Sequence, residues 1–320
     1  MGRPIRSAGR FLGLLDRGWM STLSSSPMVR LMYSSTGPLA VWLLAAGAVL
    51  SGCMGPDVDP AADADTGSTH AFISVDHRKA GQDTQATAFA GFAQMPATVD
   101  SQAVLALVGW TQQLPDPGTC IPVEVERDPN LALAPIGRVE FLEVGDVVVQ
   151  AGKQETRLAP RAFPGMGDVV TGVLYTSRDP SEEPLEPGVD YTIRTGGSAL
   201  PPLEVQGAAP LELRHVTVGG VPLETVATVE LEAPIDLTWE VGAPSDLLYV
   251  ELASTDGLHE VVCAFDDSSG AGTIAEGSYE HAGPGTITAH RVRSLGIDEP
   301  NIQGELRFNV EQTAEITYRR

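Results

Sequence analysis

Apolar residues in this chain recur at every second position in short runs, and glycine, proline and aspartate break the runs. A period of two puts alternate side chains on one face of a β-strand, whereas a helix would need 3.6. Ile235-Asp-Leu237-Thr-Trp239 alternates without a fault and predicts a strand that buries Ile235, Leu237 and Trp239. Val189, Tyr191 and Ile193 line one face of a second such run, launched by the turn signal Leu185-Glu-Pro187-Gly188. Residues 211–216, 248–252, 261–265, 287–292, 306–310 and 316–318 add further runs, which makes seven or eight strands from residue 208 to the end. That number and spacing suit a two-sheet sandwich.

Upstream the pattern is less regular. Residues 87–93 and 169–175 predict strands, residues 139–142 and 146–149 predict a hairpin around Gly145, and residues 103–110 fit either strand or helix. Residues 178–184 predict an exposed loop, and Gly207-Ala-Ala-Pro210 a hinge. The 34 glycines and 24 prolines are spread along the chain, which disfavours helices throughout. The expected fold class is therefore all-β, with two β-rich domains at residues 71–207 and 208–320.

The region before residue 71 has a different character. Residues 39–50 are twelve positions without a charge, followed by Ser51, Gly52 and Cys53. A membrane-spanning helix needs about 20 apolar residues, so this run is too short to cross a bilayer and suits the apolar core of a signal peptide. Residues 1–52 are expected to be that peptide, with Met28 as an alternative start that shortens the arginine-bearing segment before the run. Residues 53–70, rich in Asp, Ala, Pro and Gly, lack the apolar content to order themselves and predict a flexible tether. Asp63 and Asp65 there do not make a calcium loop, because further ligands and a closing glutamate are missing.

Leu50-Ser51-Gly52-Cys53 resembles the lipobox of bacterial lipoproteins: a branched aliphatic, two small residues and an obligatory cysteine. The resemblance implies that Cys53 becomes the first mature residue and carries fatty acyl chains, palmitate among them. Each buried CH₂ contributes about 0.8 kcal/mol, so several chains anchor durably where one does not. Met54 in place of aspartate implies sorting to the outer membrane, with the body in the periplasm or at the cell surface. Ile235-Asp-Leu-Thr-Trp239, a Pro244 turn and Tyr249-Val-Glu-Leu252 are similar to the second and third strands of fibronectin type III and immunoglobulin-like sandwiches. The immunoglobulin order Cys, Trp, Cys is absent, so the likeness extends to architecture alone. Tether, β-rich middle and C-terminal sandwich together resemble envelope lipoproteins of GC-rich, myxobacteria-like species, a likeness that carries no activity with it.

Charge narrows the partners. The chain carries −22; residues 1–52 hold five arginines against Asp16, and without them the balance is −26. Such a charge opposes nucleic acid and anionic membrane surfaces as direct partners. With Cys53 lipidated, Cys120 and Cys263 remain, either bridged in an oxidising compartment or buried singly as small hydrophobes.

Catalytic signatures are missing. His70, His77, His215, His259, His281 and His290 show no HExxH-type metal spacing, and His290 sits within a strand pattern as a structural histidine. There is no Gly-x-Ser-x-Gly elbow, phosphate loop or dinucleotide fingerprint. Asp266-Asp267-Ser-Ser-Gly270 reads as an acidic surface turn, with a calcium ion at a sandwich end as the alternative. Trp110 and Trp239 read as core residues rather than sugar-stacking platforms. The expectation leans away from an enzyme and towards a lipid-anchored envelope protein that binds or scaffolds a protein or a glycan. The alternatives are a carboxylate-dependent envelope hydrolase, assisted by calcium, and a structural subunit of an envelope complex.

Overall fold

The alternation seen in the sequence is realised almost everywhere as strand. The computed structural model describes residues 68–81, 83–95, 114–123, 139–162, 170–177 and 185–320. In chain order the strands are β1 (Ser68–Ala80), β2 (Asp83–Met95), β3 (Cys120–Pro122), β4 (Val139–Phe141), β5 (Val147–Ala151), β6 (Gln154–Ala162) and β7 (Val170–Thr176). They continue with β8 (Asp190–Thr195), β9 (Glu204–Ala208), β10 (Thr217–Val218), β11 (Val221–Pro222), β12 (Thr228–Glu230) and β13 (Ile235–Thr238). The last are β14 (Leu247–Ser254), β15 (Glu260–Asp266), β16 (Ala271–Ile274), β17 (Gly283–Glu299) and β18 (Ile302–Arg319). The one helical element among the described residues is a 3₁₀ turn, Asp267–Ser269, and the fold is all-β. Among these residues no helix is long and apolar enough to cross a membrane.

Two large hydrophobic cores organise the described strands. In the C-terminal half, β14, β15, β17 and β18 face the small sheet β11-β10-β13-β16. Leu248, Val250, Leu252, Cys263, Phe265, Ile287 and Tyr318 from one layer meet Val218, Ile235, Leu237 and Ile274 from the other. This is a two-sheet sandwich, and Ile235, Leu237 and Trp239 are buried as their alternation requires. The second core lies in the N-terminal half, where Ile73, Val75, Ala90 and Phe92 pack with Val147, Val149, Tyr191 and Ile193. Strand β6 joins its two layers: residues 154–158 pair with β5, and residues 159–162 pair with β7.

One hairpin serves both cores. Strands β17 and β18, of 17 and 18 residues, pair along their whole length. Their far ends supply Ile297, Ile302, Leu306 and Phe308 to the N-terminal core. Strand β1 lies beside β18 in parallel, with Ile73 opposite Leu306 and Val75 opposite Phe308. The approach is close at Gly304, where a Cβ would stand 2.0 Å from the Ala71 carbonyl oxygen. The described residues from Ser68 onward accordingly belong to one compact unit.

Several local expectations change. Residues 139–141 and 147–151 do not pair with each other: β4 joins β2 and β7, while β5 joins β6 and β8. Gly145, at φ 76°, turns the chain from one layer to the other instead of closing a hairpin. Residues 211–216 stay irregular although Leu213 and Val216 are buried. Residues 306–310 and 316–318 belong to one strand, β18, and nine strands rather than seven or eight follow residue 208. The stretch expected as a hinge is held down: Ala209 is buried, Arg293 donates to the Ala208 carbonyl at 2.9 Å, and Arg291 donates to the carbonyls of Leu211 and Glu212 at 3.3 Å each. The tether expected over residues 53–70 ends sooner, since Ser68–His70 already belong to β1 and Thr69 is buried. Residues 1–67, 103–110 and 178–184, with the signal peptide, Cys53, the rest of the tether, Trp110 and the expected loop, lie outside the described residues.

Candidate functional site

The sequence-derived candidates Asp266 and Asp267 are both committed to structure. Asp266 caps the 3₁₀ turn: its Oδ1 accepts from the Ser268 amide at 3.0 Å and the Ser268 hydroxyl at 2.7 Å. Asp267 is not on a surface turn, since its side chain is fully buried. Its Oδ1 pairs with Arg291 Nη2 at 3.1 Å and Nε at 3.2 Å, and its Oδ2 accepts from the Gly242 amide at 2.6 Å. Arg291 is equally buried and spends its other donors on the carbonyls of Leu211, Glu212 and Glu240. A buried charge pair is tolerable only when its remaining donors and acceptors are met, and here they are. Asp267 thus has both oxygens engaged and is sealed from any cation, whereas Asp266 serves the turn through Oδ1 alone. Trp239 belongs to the same knot, packing on Phe265 and donating its indole N–H to the Asp267 carbonyl at 2.9 Å.

Cys120 and Cys263 are bridged, at an S–S distance of 2.08 Å. They stand directly opposite each other in the antiparallel pair β3–β15. The bond clamps a three-residue strand onto the sheet edge, with the Val123 amide on the Glu260 carbonyl at 2.9 Å as the next rung.

That clamped edge forms one wall of a groove of about 440 Å³, lined among others by Pro122, Val123, His259, Tyr279, His281 and Arg320. Its polar end is the turn between β14 and β15. The Ser254 amide donates to the His259 carbonyl at 2.9 Å and the Gly257 amide to the Ser254 carbonyl at 3.0 Å, which closes residues 255–258 into a tight loop. Gly257 sits at φ 67°, a left-handed position that costs a side-chain-bearing residue dearly. Buried Ser254 organises the loop. Its hydroxyl donates to Asp256 Oδ1 and accepts from the His259 amide at 3.1 Å, while the Leu258 amide also donates to Asp256 Oδ1 at 2.9 Å. Asp256 itself is exposed. Its carboxyl is held below the usual carboxylate range by the Ser254 hydrogen bond first, then by the Leu258 amide and the two nearby histidines.

His281 reaches the same spot from the opposite side of the sequence. It precedes β17, the other neighbour of β14, and the Thr255 amide ties the two loops together through the Pro284 carbonyl at 3.2 Å. The rings of His259 and His281 stack with centroids 4.2 Å apart and planes 16° from parallel. Ligand-capable atoms of Asp256, His259 and His281 all lie within 4.8 Å of one another. The Ser254 hydroxyl is buried under the loop and is used to hold the Asp256 carboxylate in place.

A second polar cluster is buried on the face of the large sheet away from the C-terminal core. His290 stacks on Tyr249 with ring centroids 4.1 Å apart, and its Nδ1 lies 3.2 Å from Asn309 Oδ1. Glu311 and Glu251 approach its two ring nitrogens at 3.5 and 3.8 Å. Burial pushes the His290 imidazolium down to about 3 and the Glu251 carboxyl up to about 7, the latter helped by Glu260 and Glu311. At neutral pH this arrangement holds a neutral imidazole, and His290 is a structural histidine as its strand position suggested.

Ligand spacing within a single segment does not reveal Asp256, His259 and His281. The available signal was topological: Asp256-Gly257 between two apolar runs predicts a hairpin tip, and His281 stands just before a further strand. Which tip meets which strand end depends on sheet order, which no local spacing encodes. No protein-family model matches this chain, and no curated protein matches it.

Proposed function

We propose that this chain is a lipid-anchored, non-catalytic binding or scaffolding protein of the cell envelope. In this reading Cys53 carries the acyl chains at the outer membrane, and residues 68–320 form an all-β body displayed from a tether. The observation that carries it is the Cys120–Cys263 bridge. Structural disulfides belong to oxidising compartments, and export through a lipobox-bearing signal peptide delivers a chain to one. An open groove at one sheet edge, with two histidines and a carboxylate at its polar end, supports a binding role. The partner is an envelope protein or a glycan, and the strongly acidic balance of the chain disfavours nucleic acid.

Metabolic labelling with palmitate tests the anchor. Label should enter the wild-type product and be lost in Cys53→Ala, with the protein moving from the membrane to the soluble fraction. Equal labelling of both, or none in either, would overturn the reading. Immobilised protein should then retain a component of envelope extracts or a purified cell-wall glycan, and retention of nothing would remove the binding role.

A further inference from the structure

We infer that Asp256, His259 and His281 form a binding site for a divalent transition-metal ion of the zinc type. Three residues from two loops converge with their ligand atoms inside 4.8 Å, the spacing that a single small ion can bridge. Two imidazole nitrogens and one carboxylate oxygen suit zinc and its neighbours, whereas calcium and magnesium prefer sets made entirely of oxygen. The carboxylate is oriented in the way metal ligands usually are. Asp256 Oδ1 is occupied by the Ser254 hydroxyl and the Leu258 amide, which leaves Oδ2 for the ion.

The site also has the mobility that coordination requires. His259 is exposed and His281 half-buried, so their stacked rings can turn about χ2 to bring a nitrogen from each onto one centre. Gly283 beside His281 has no side chain to obstruct the turn, and a Cβ there would meet only His281 Nε2, at 3.8 Å. The loops themselves are fixed by Ser254 and by the Thr255–Pro284 link. Three protein ligands leave a fourth tetrahedral position unfilled, and both histidines line the groove. A donor from solvent or from a bound partner completes the shell. The ion thus adds a specific anchoring point to the binding role proposed above, and the two readings fail separately: a chain that takes up palmitate but no zinc loses this inference alone.

The test is a calorimetric titration of the detergent-purified full chain, prepared without a polyhistidine tag and stripped with EDTA, using zinc chloride. One equivalent should bind, and His259→Ala and His281→Ala should each weaken binding at least tenfold. His215→Ala, at an exposed histidine elsewhere, should leave it unchanged. Cobalt in place of zinc should give the visible absorption of a tetrahedral site, and millimolar calcium should not displace it. Circular dichroism of each variant should match the wild type, so that lost binding cannot be assigned to lost fold. Absence of zinc binding, displacement by calcium, or unchanged binding in the double variant His259→Ala/His281→Ala would each overturn the inference.

Discussion

The two ends of β15 carry turns built around aspartate, and they use it in opposite ways. At the C-terminal end Asp267 points inward, meets Arg291 and the Gly242 amide, and is sealed under Trp239. At the N-terminal end Asp256 points outward, takes two donors on one oxygen and leaves the other free beside two histidines. The difference lies in what faces each turn. Asp267 turns into the space between the two sheets, where a carboxylate survives only if paired. Asp256 sits at the tip of the β14–β15 hairpin, and the segment before the neighbouring β17 brings His281. The same residue type is thus a structural pin in one place and a candidate ligand in the other.

Removing the inward aspartate should have the largest effect. Asp267→Ala leaves Arg291 buried without its counter-charge, and losses of about 3–5 kcal/mol follow from such a deletion; urea unfolding should show a far lower midpoint. If the midpoint barely moves, the inward turn is not a pin. Breaking the bridge comes next. Cys120→Ala with Cys263→Ala should cost about 2–4 kcal/mol and loosen the groove wall formed by Pro122 and Val123, seen as faster hydrogen exchange in β3 than in β14.

The outward turn should answer more mildly. Ser254→Ala removes the donor that orients Asp256, and about 1 kcal/mol of stability should go with that hydrogen bond. His259→Ala should stay within about 0.5 kcal/mol of the wild type, as exposed substitutions do. A large loss from His259→Ala would mean that both turns are structural and would erase the contrast.

The smallest effect concerns the sheet between the two turns and shows itself in pH dependence. Glu251, on β14, is raised from 4.5 to about 7 by burial, so the folded chain holds a proton there that the unfolded chain releases. Its stabilising contribution is present below pH 4.5 and is lost as pH rises through 7. His290 runs the other way: lowered from 6.5 to about 3, it contributes above pH 6.5 and loses that contribution as pH falls towards 3. The two slopes oppose each other between pH 4.5 and 6.5. Glu251→Gln should therefore raise the urea midpoint at pH 8 and change it little at pH 5, and the reverse order would contradict the assigned burial.

What could be read from the sequence divides along the same line between local and distant. Ile235, Leu237 and Trp239 announced their strand because a sandwich strand with one buried face writes its alternation into neighbouring residues. Residues 306–310 and 316–318 looked like two strands because Glu311, Gln312, Thr313 and Glu315 interrupt the apolar pattern. In the fold β18 runs straight through them: Glu311 faces His290 and Gln312 reaches Glu224 at 3.2 Å. The hairpin expected around Gly145 forms one strand later: β5 turns back on β6, while β4 pairs with β2 and β7. Asp267 and Arg291 are 24 positions apart, and His259 and His281 are 22 apart. Only the order of strands in the sheet brings either pair together, and that order is a property of the whole chain.

Sheet order has one more consequence. The strand nearest the start of the described body, β1, lies in parallel against the one that ends it, β18. β1 can pair with β2 early, but its parallel contact with β18 has to wait until residues 302–319 have been made. A nascent chain must therefore wait with Ile73 and Val75 uncovered until Leu306 and Phe308 arrive. Loss of β18 would open the middle of the sheet, between β17 and β1, rather than trim its rim.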